Sequence, residues 1–152
     1  MNSDELPRAQ GIVRFDFDRY DDLHGQSTCR ITAKIEADDP RPIWWEMVVM
    51  GETLGLHITV NRDTDELIVA LTNVAEPGAG RWIDVEQLAD CIGGKIGWCW
   101  SAINSQGYWD LFILSFEGSV IPSVAFLGMA SEVQVMRMAL VEQPSAIEVL
   151  ER

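Results

Sequence analysis

The sequence predicts an α+β fold: a curved, mostly antiparallel sheet of about eight strands in two meanders, with one main helix (about 84–92) packed on it. Three observations predict it. Apolar and polar residues alternate through CRITAKIEA (29–37), the pattern of a half-buried strand. Short apolar runs broken by Gly-, Asp- and Asn-rich turns recur on both sides of residues 84–94. That central stretch carries the best helix signal in the chain, with a start and a stop.

A chain of 152 residues suits one domain. At this length about two-thirds of the unfolded surface is buried on folding, and an apolar fraction of 47% supplies the core. The expected organisation is a polar N-terminal segment (1–26), a single α+β domain (27–140) and a C-terminal tail (141–152).

In chain order, RFDFDRYDDLHG (14–25) suits a short helix stopped by Gly25, with Phe15, Phe17 and Leu23 as anchors, although its Phe-Asp-Phe-Asp alternation also suits a strand. CRITAKIEA is the first strong strand, with Cys29, Ile31, Ala33 and Ile35 on one face. IWWEMVVMG (43–51), GLHITV (55–60) and LIVALTN (67–73) follow, separated by turn-rich stretches such as NRDTDE (61–66). For the helix, Asp84 suits the N-cap, Gln87 completes a capping-box-like pair, and Val85, Leu88, Cys91 and Ile92 recur at helical spacing before Gly93 and Gly94.

The second half repeats the theme with KIGWCWSAI (95–103), YWDLFILSF (108–116), PSVAFLG (122–128) and EVQVMRMAL (132–140). The tail suits a short helix capped by Ser145. The halves echo each other: Trp45-Glu46 matches Trp109-Asp110, and Asp65-Glu66-Leu67 matches Ser131-Glu132-Val133. Period-two parity puts Ile96, Trp98, Trp100 and Ala102 on one face, and Phe112, Leu114 and Phe116 together on the return strand. The hairpin therefore reads as the centre of the sheet, with a polar tip at Asn104–Gly107.

The formal net charge of −13 excludes nucleic-acid binding by charge neutralisation and opposes anionic membrane surfaces. It leaves solubility, or complementarity to a basic partner. No apolar run approaches the roughly 20 residues of a membrane span, and the start lacks the pattern of a signal peptide, so a cytoplasmic location is expected.

Chemistry-bearing motifs are few. Cys29, Cys91 and Cys99 are too few and too irregular for a disulfide framework, and with only His24 and His57 they lack zinc spacing; they read as buried thiols. NRDTDE places Asn61, Asp63 and Asp65 like the start of a calcium loop, but Glu66 stands where Gly is needed and Thr72 where Glu is needed. There is no GxSxG elbow and no phosphate loop. Glu46 and Asp110, each interrupting an apolar strand, are the best paired carboxylates. A non-enzymatic chain without cofactor or metal is the expectation. Candidate partner-binding residues are the acidic knuckle Asp63, Asp65 and Glu66, and the aromatic hairpin with its tip, Trp98, Trp100, Asn104, Gln106 and Tyr108.

DTDEL (63–67), IGWCW (96–100), NSQGYWD (104–110) and FLGMAS (126–131), spanning roughly residues 25–138, resemble a group of small uncharacterised bacterial proteins. That group is similar to immunity-type proteins of bacterial toxin systems. The resemblance implies an inhibitor that neutralises a basic toxin domain by direct binding. The alternatives are a small-molecule-binding or enzymatic domain with a pocket between sheet and helix lined by Trp98, Trp100 and Tyr108, and an oligomeric scaffold.

Overall fold

The alternation in CRITAKIEA becomes strand β1 (Arg30–Ile35) of the computed structural model, with Ile31, Ala33 and Ile35 turned into the core. The structure describes residues 17–36, 43–73, 80–118 and 120–145. β1 lies between β2 (Glu46–Met50) and β5 (Arg81–Asp84); β3 (Leu54–Val60) and β4 (Leu67–Asn73) extend the sheet from β2 in the order β4-β3-β2-β1-β5. A second sheet contains β6 (Cys99–Ala102), β7 (Leu111–Leu114), β8 (Val124–Met129) and β9 (Glu132–Arg137), in sequence order. All the pairings are antiparallel.

The two meanders are thus two separate sheets rather than one curved sheet. Both contribute to a single buried cluster: Met47, Leu56 and Ile58 come from the first, and Phe112, Leu114 and Phe126 from the second. Burying each of these side chains stabilises the fold by about 1.5–3 kcal/mol.

The echo between the halves has a structural counterpart. Asp65 and Ser131 occupy matching positions and share a left-handed backbone, each with φ 61°. Leu67 N donates to Trp109 O across the sheets, and Val133 N donates to Trp44 O in the opposite sense, both at 3.0 Å. Each sheet therefore closes on the segment that leads into the other.

The helical content differs from expectation. The short helix α1 (Phe17–Leu23) forms, and Gly25, at φ 87°, turns the chain after it. The main helix expected over 84–92 is only a 3-10 helix, Glu86–Cys91. Asp84 does not cap it: its carboxylate accepts from Arg30 Nε at 2.7 Å, and RWID, whose Asp84 suits an N-cap by sequence, is strand β5. Val85 stands at the N-cap without a side-chain bond, and Leu88 leaves the helical region at φ −115°. A piece this short cannot offset the cost of helix nucleation by itself. Buried Leu88 and Cys91 hold it, and Arg137 Nη2 clamps it by donating to Gln87 O at 2.9 Å and to the Asp90 carboxylate. Gly93, at φ 86°, ends it as expected.

The helix expected after Ser145 and the anchor Phe15 lie outside the described residues. Of the three thiols read as buried, Cys91 is buried and Cys99 partly so, but Cys29 is exposed, because it precedes the first paired residue of β1.

Candidate interaction surface

The segment IGWCW does not keep a single parity. Gly97 N donates to Ser115 O at 2.8 Å, whereas Ser115 N donates to Trp98 O at 3.0 Å. Two residues thus oppose one, which is a β-bulge. Ile96 before it is fully buried; Trp98 after it is 54% exposed. The expectation that Ile96 shares a face with Trp98 and Trp100 is therefore overturned. Cys99 points to the core instead, and the two indoles lie together on the opposite face, with ring centroids 6.4 Å apart. β6 is also an edge strand, not the centre of its sheet.

The register carries this outer face across four strands. Trp100 opposes Ile113, which opposes Ala125, which opposes Met136. The next row runs Ala102, Leu111, Leu127 and Gln134. None of these side chains belongs to the core cluster. The inward residues Phe112, Leu114, Phe126 and Val133 make up the core, so this sheet is apolar on both faces. Asp21 stands beside Trp98 at one border, and Glu132 accepts from Gln134 Nε2 at 2.9 Å at the other. The sequence signal for this face was the run of strands apolar on both sides, with too little helix to cover them.

The polar candidates divide sharply by what they already touch. Asn104 organises the hairpin tip: its Oδ1 accepts from Gln106 N at 2.8 Å and Tyr108 N at 3.2 Å, and its Nδ2 donates to Asp110 Oδ2 at 3.0 Å. Gly107 takes φ 86° there, while Gln106 remains exposed and Tyr108 half-buried. In the acidic knuckle, Asp63 is exposed, and its backbone N–H donates to Asn61 Oδ1 at 2.9 Å. Asp65 accepts from Ala130 N and Ser131 N, and Glu66 Oε2 accepts from Trp109 N at 3.3 Å. Two of the three knuckle carboxylates thus join the sheets to each other. The knuckle and the indole pair are not brought into one site.

Glu46 and Asp110 do not form a carboxylate pair. Glu46 sits on the outer face of the five-stranded sheet, 2.9 Å from His57 Nε2 and 3.9 Å from Lys34 Nζ, while Asp110 is bound by Asn104. Among the described residues no group of three or more His, Cys, Asp or Glu side chains is placed to hold a metal ion, and no helix is long and apolar enough to cross a membrane.

Between α1 and β6 lies a cleft of about 310 Å³ lined by Tyr20, Asp21, His24, Trp98 and Cys99; the expected lining residues Trp100 and Tyr108 are not among them. Burial pushes the Cys99 thiol from 9.0 up to about 11, against a hydrogen bond with Tyr20 that acts the other way. Burial, followed by the neighbouring Cys99, raises the Tyr20 hydroxyl well above its ordinary value, and that hydroxyl donates to Gly97 O. Both groups are therefore held neutral, and neither is prepared as a nucleophile.

These features define an antiparallel two-sheet protein with few helices, whose four-stranded sheet turns apolar side chains, Trp98 among them, to its outer face. The chain belongs to a family of unknown function, DUF6334, whose profile matches residues 12–142. No curated protein and no solved structure matches it.

Proposed function

We propose that this protein is a non-enzymatic, cytoplasmic binding protein of the immunity type, which neutralises a basic bacterial toxin by covering it with the outer face of the four-stranded sheet. The observation that carries this reading is the exposed Trp98, packed beside Trp100 on an apolar face that spans four strands. An exposed indole beside a half-buried one, in an apolar field with an acidic border, is what an interface anchor looks like. The net charge of −13 favours a basic partner and speeds its approach. Gln106 remains outward at the tip of the β6–β7 hairpin and suits the rim of such a contact.

The test is capture by the purified chain alongside a Trp98→Ala/Trp100→Ala variant. The expected result is a basic protein that the unaltered chain retains, that the variant binds at least about thirty-fold more weakly, and whose association slows as salt rises. A partner bound equally by both forms, or bound independently of salt, overturns the reading.

The cleft between α1 and β6 favours a second reading, a small-molecule site beside Trp98. Its volume of about 310 Å³ lies at the lower end for ligand pockets. A thermal-shift response to a small ligand that is lost in Trp98→Ala, with no protein captured, would favour it.

A further inference from the structure

We infer that a second cleft, along β5, binds a quaternary ammonium ion through the rings of Trp44 and Trp82 and the carboxylate of Glu86. The cleft has a volume of about 440 Å³, which is ample for a small organic ligand. β5, an edge strand, supplies Trp82 and Asp84. Glu86 follows at the start of the 3-10 helix, Arg30 comes from β1, and Trp44 comes from the segment before β2. No residue is shared with the cleft beside Trp98.

The charge of the lining selects a cation. The antiparallel register sets Thr32 opposite Asp84. Arg30, two residues earlier on β1, therefore meets Asp84 diagonally and bonds its carboxylate at 2.7 Å. That pair cancels its own charge. Glu86 is exposed and has no ion-pair partner among the described residues. One negative charge is thus left uncompensated at the cleft. An anion would meet two carboxylates and a guanidinium that is already engaged.

The rings select the kind of cation. Trp44 and Trp82 are both half-buried where they line the cleft. Nε1 of Trp44 is buried, so Trp44 offers the cleft its ring rather than its N–H. An indole ring attracts a cation to its face, and quaternary ammonium groups are the ligands most often held this way. Trp45, next along the chain, already holds such a charge: Arg62 Cζ lies 4.3 Å from its ring centroid. Over Trp44 there is no cation among the described residues. A primary ammonium would bring three N–H donors, and with Asp84 bound to Arg30 only the Glu86 carboxylate is uncommitted. A fully alkylated nitrogen has no N–H to satisfy. A metal ion would need more carboxylate, His or Cys ligands than Asp84 and Glu86 provide.

The test titrates the full chain with choline, with its uncharged carbon isostere 3,3-dimethylbutan-1-ol, and with a short peptide carrying one trimethyl-lysine. Binding is read by indole fluorescence and located by backbone amide and indole N–H shifts. Choline is expected to bind at least about fivefold tighter than the isostere, and to shift the amides of Trp82, Asp84 and Glu86. Trp82→Ala should weaken choline at least about tenfold. Glu86→Gln, at an exposed position that folding tolerates, should weaken it at least about threefold. If Trp82→Ala fails to fold, the Glu86→Gln variant and the isostere still decide the outcome.

Tighter binding of the peptide than of choline supports the inference with a cation carried on a protein; the reverse supports it with a free one. Equal binding of the isostere shows an apolar cleft only and overturns the inference. So do shifts confined to other residues, unaltered binding by Glu86→Gln, or binding of neither cation. None of the lining residues belongs to the four-stranded sheet, so failure here leaves the toxin-binding reading standing.

Discussion

Asp65 Oδ1 accepts a hydrogen bond from Ser131 N at 2.8 Å, joining the turn between β3 and β4 to the turn between β8 and β9. The other carboxylate oxygen accepts from Ala130 N at 3.2 Å. Ala130 and Ser131 have φ 54° and 61°, the left-handed pair that a two-residue hairpin turn needs. Asp65 thus caps a turn belonging to the opposite sheet.

Removing that cap should be costly. Asp65→Ala is expected to lower the stability by about 1.5–3 kcal/mol, the range for hydrogen bonds to a charged group. Asp65→Asn should cost less, since Asn tolerates the φ 61° that Asp65 adopts. Urea denaturation measures both; an unchanged midpoint for Asp65→Ala would sink the assignment.

The turn itself can be improved. Ala130 holds a left-handed backbone that costs a residue with a Cβ about 1–2 kcal/mol. Ala130→Gly should return part of this and raise stability by about 0.5–1 kcal/mol despite the greater freedom glycine has when unfolded. A calorimetric Tm that falls would show that the turn is not strained.

Gly128 has the opposite character. A Cβ there would stand 1.9 Å from Asp65 O, a backbone atom that cannot move aside by itself. Gly128→Ala should therefore cost at least about 3 kcal/mol, by forcing β8 away from the Asp65 turn. Retention of the native denaturation midpoint would contradict the close approach.

The thiols should separate by reactivity. Exposed Cys29 is expected to react first with a disulfide reagent, and Cys91 and Cys99, both raised by burial, much later. The same shift sets an alkaline limit. The folded state keeps the Cys99 proton up to about 11 while the unfolded thiol loses it near 9.0, so stability falls as pH rises between those values. Tyr20, shifted in the same direction, adds to the loss as pH rises past its ordinary value of 10.0. Unfolding midpoints measured from pH 8 to 11, compared with Cys99→Ala, test the direction: the variant should show a shallower decline.

Much of the strand content was legible in the sequence because alternation and turn residues agree in CRITAKIEA and on both sides of NRDTDE. Three features were not. RWID is four residues long and ends in an Asp that looks like a helix cap, so only the Arg30 partner from the neighbouring strand reveals it as β5. The Gly97–Trp98 bulge leaves no mark that periodicity can detect, yet it decides that Trp98 faces outward. The roles of Asp65 and Glu66 depend on donors far along the chain, at Ser131 and Trp109, which local pattern cannot supply. Asn104, by contrast, bonds within six residues, and its place in NSQG was readable as turn chemistry.

The stretch Trp109–Asp110 bonds in both directions: Trp109 O takes Leu67 N from one sheet, and Asp110 O takes Gly128 N from the other. Val133 N, bound to Trp44 O, closes the circuit from the far end. Opening either sheet alone breaks bonds that hold the other, which couples their fluctuations. The amide protons of Leu67, Gly128 and Val133 should accordingly exchange with solvent at one common rate, that of whole-molecule unfolding.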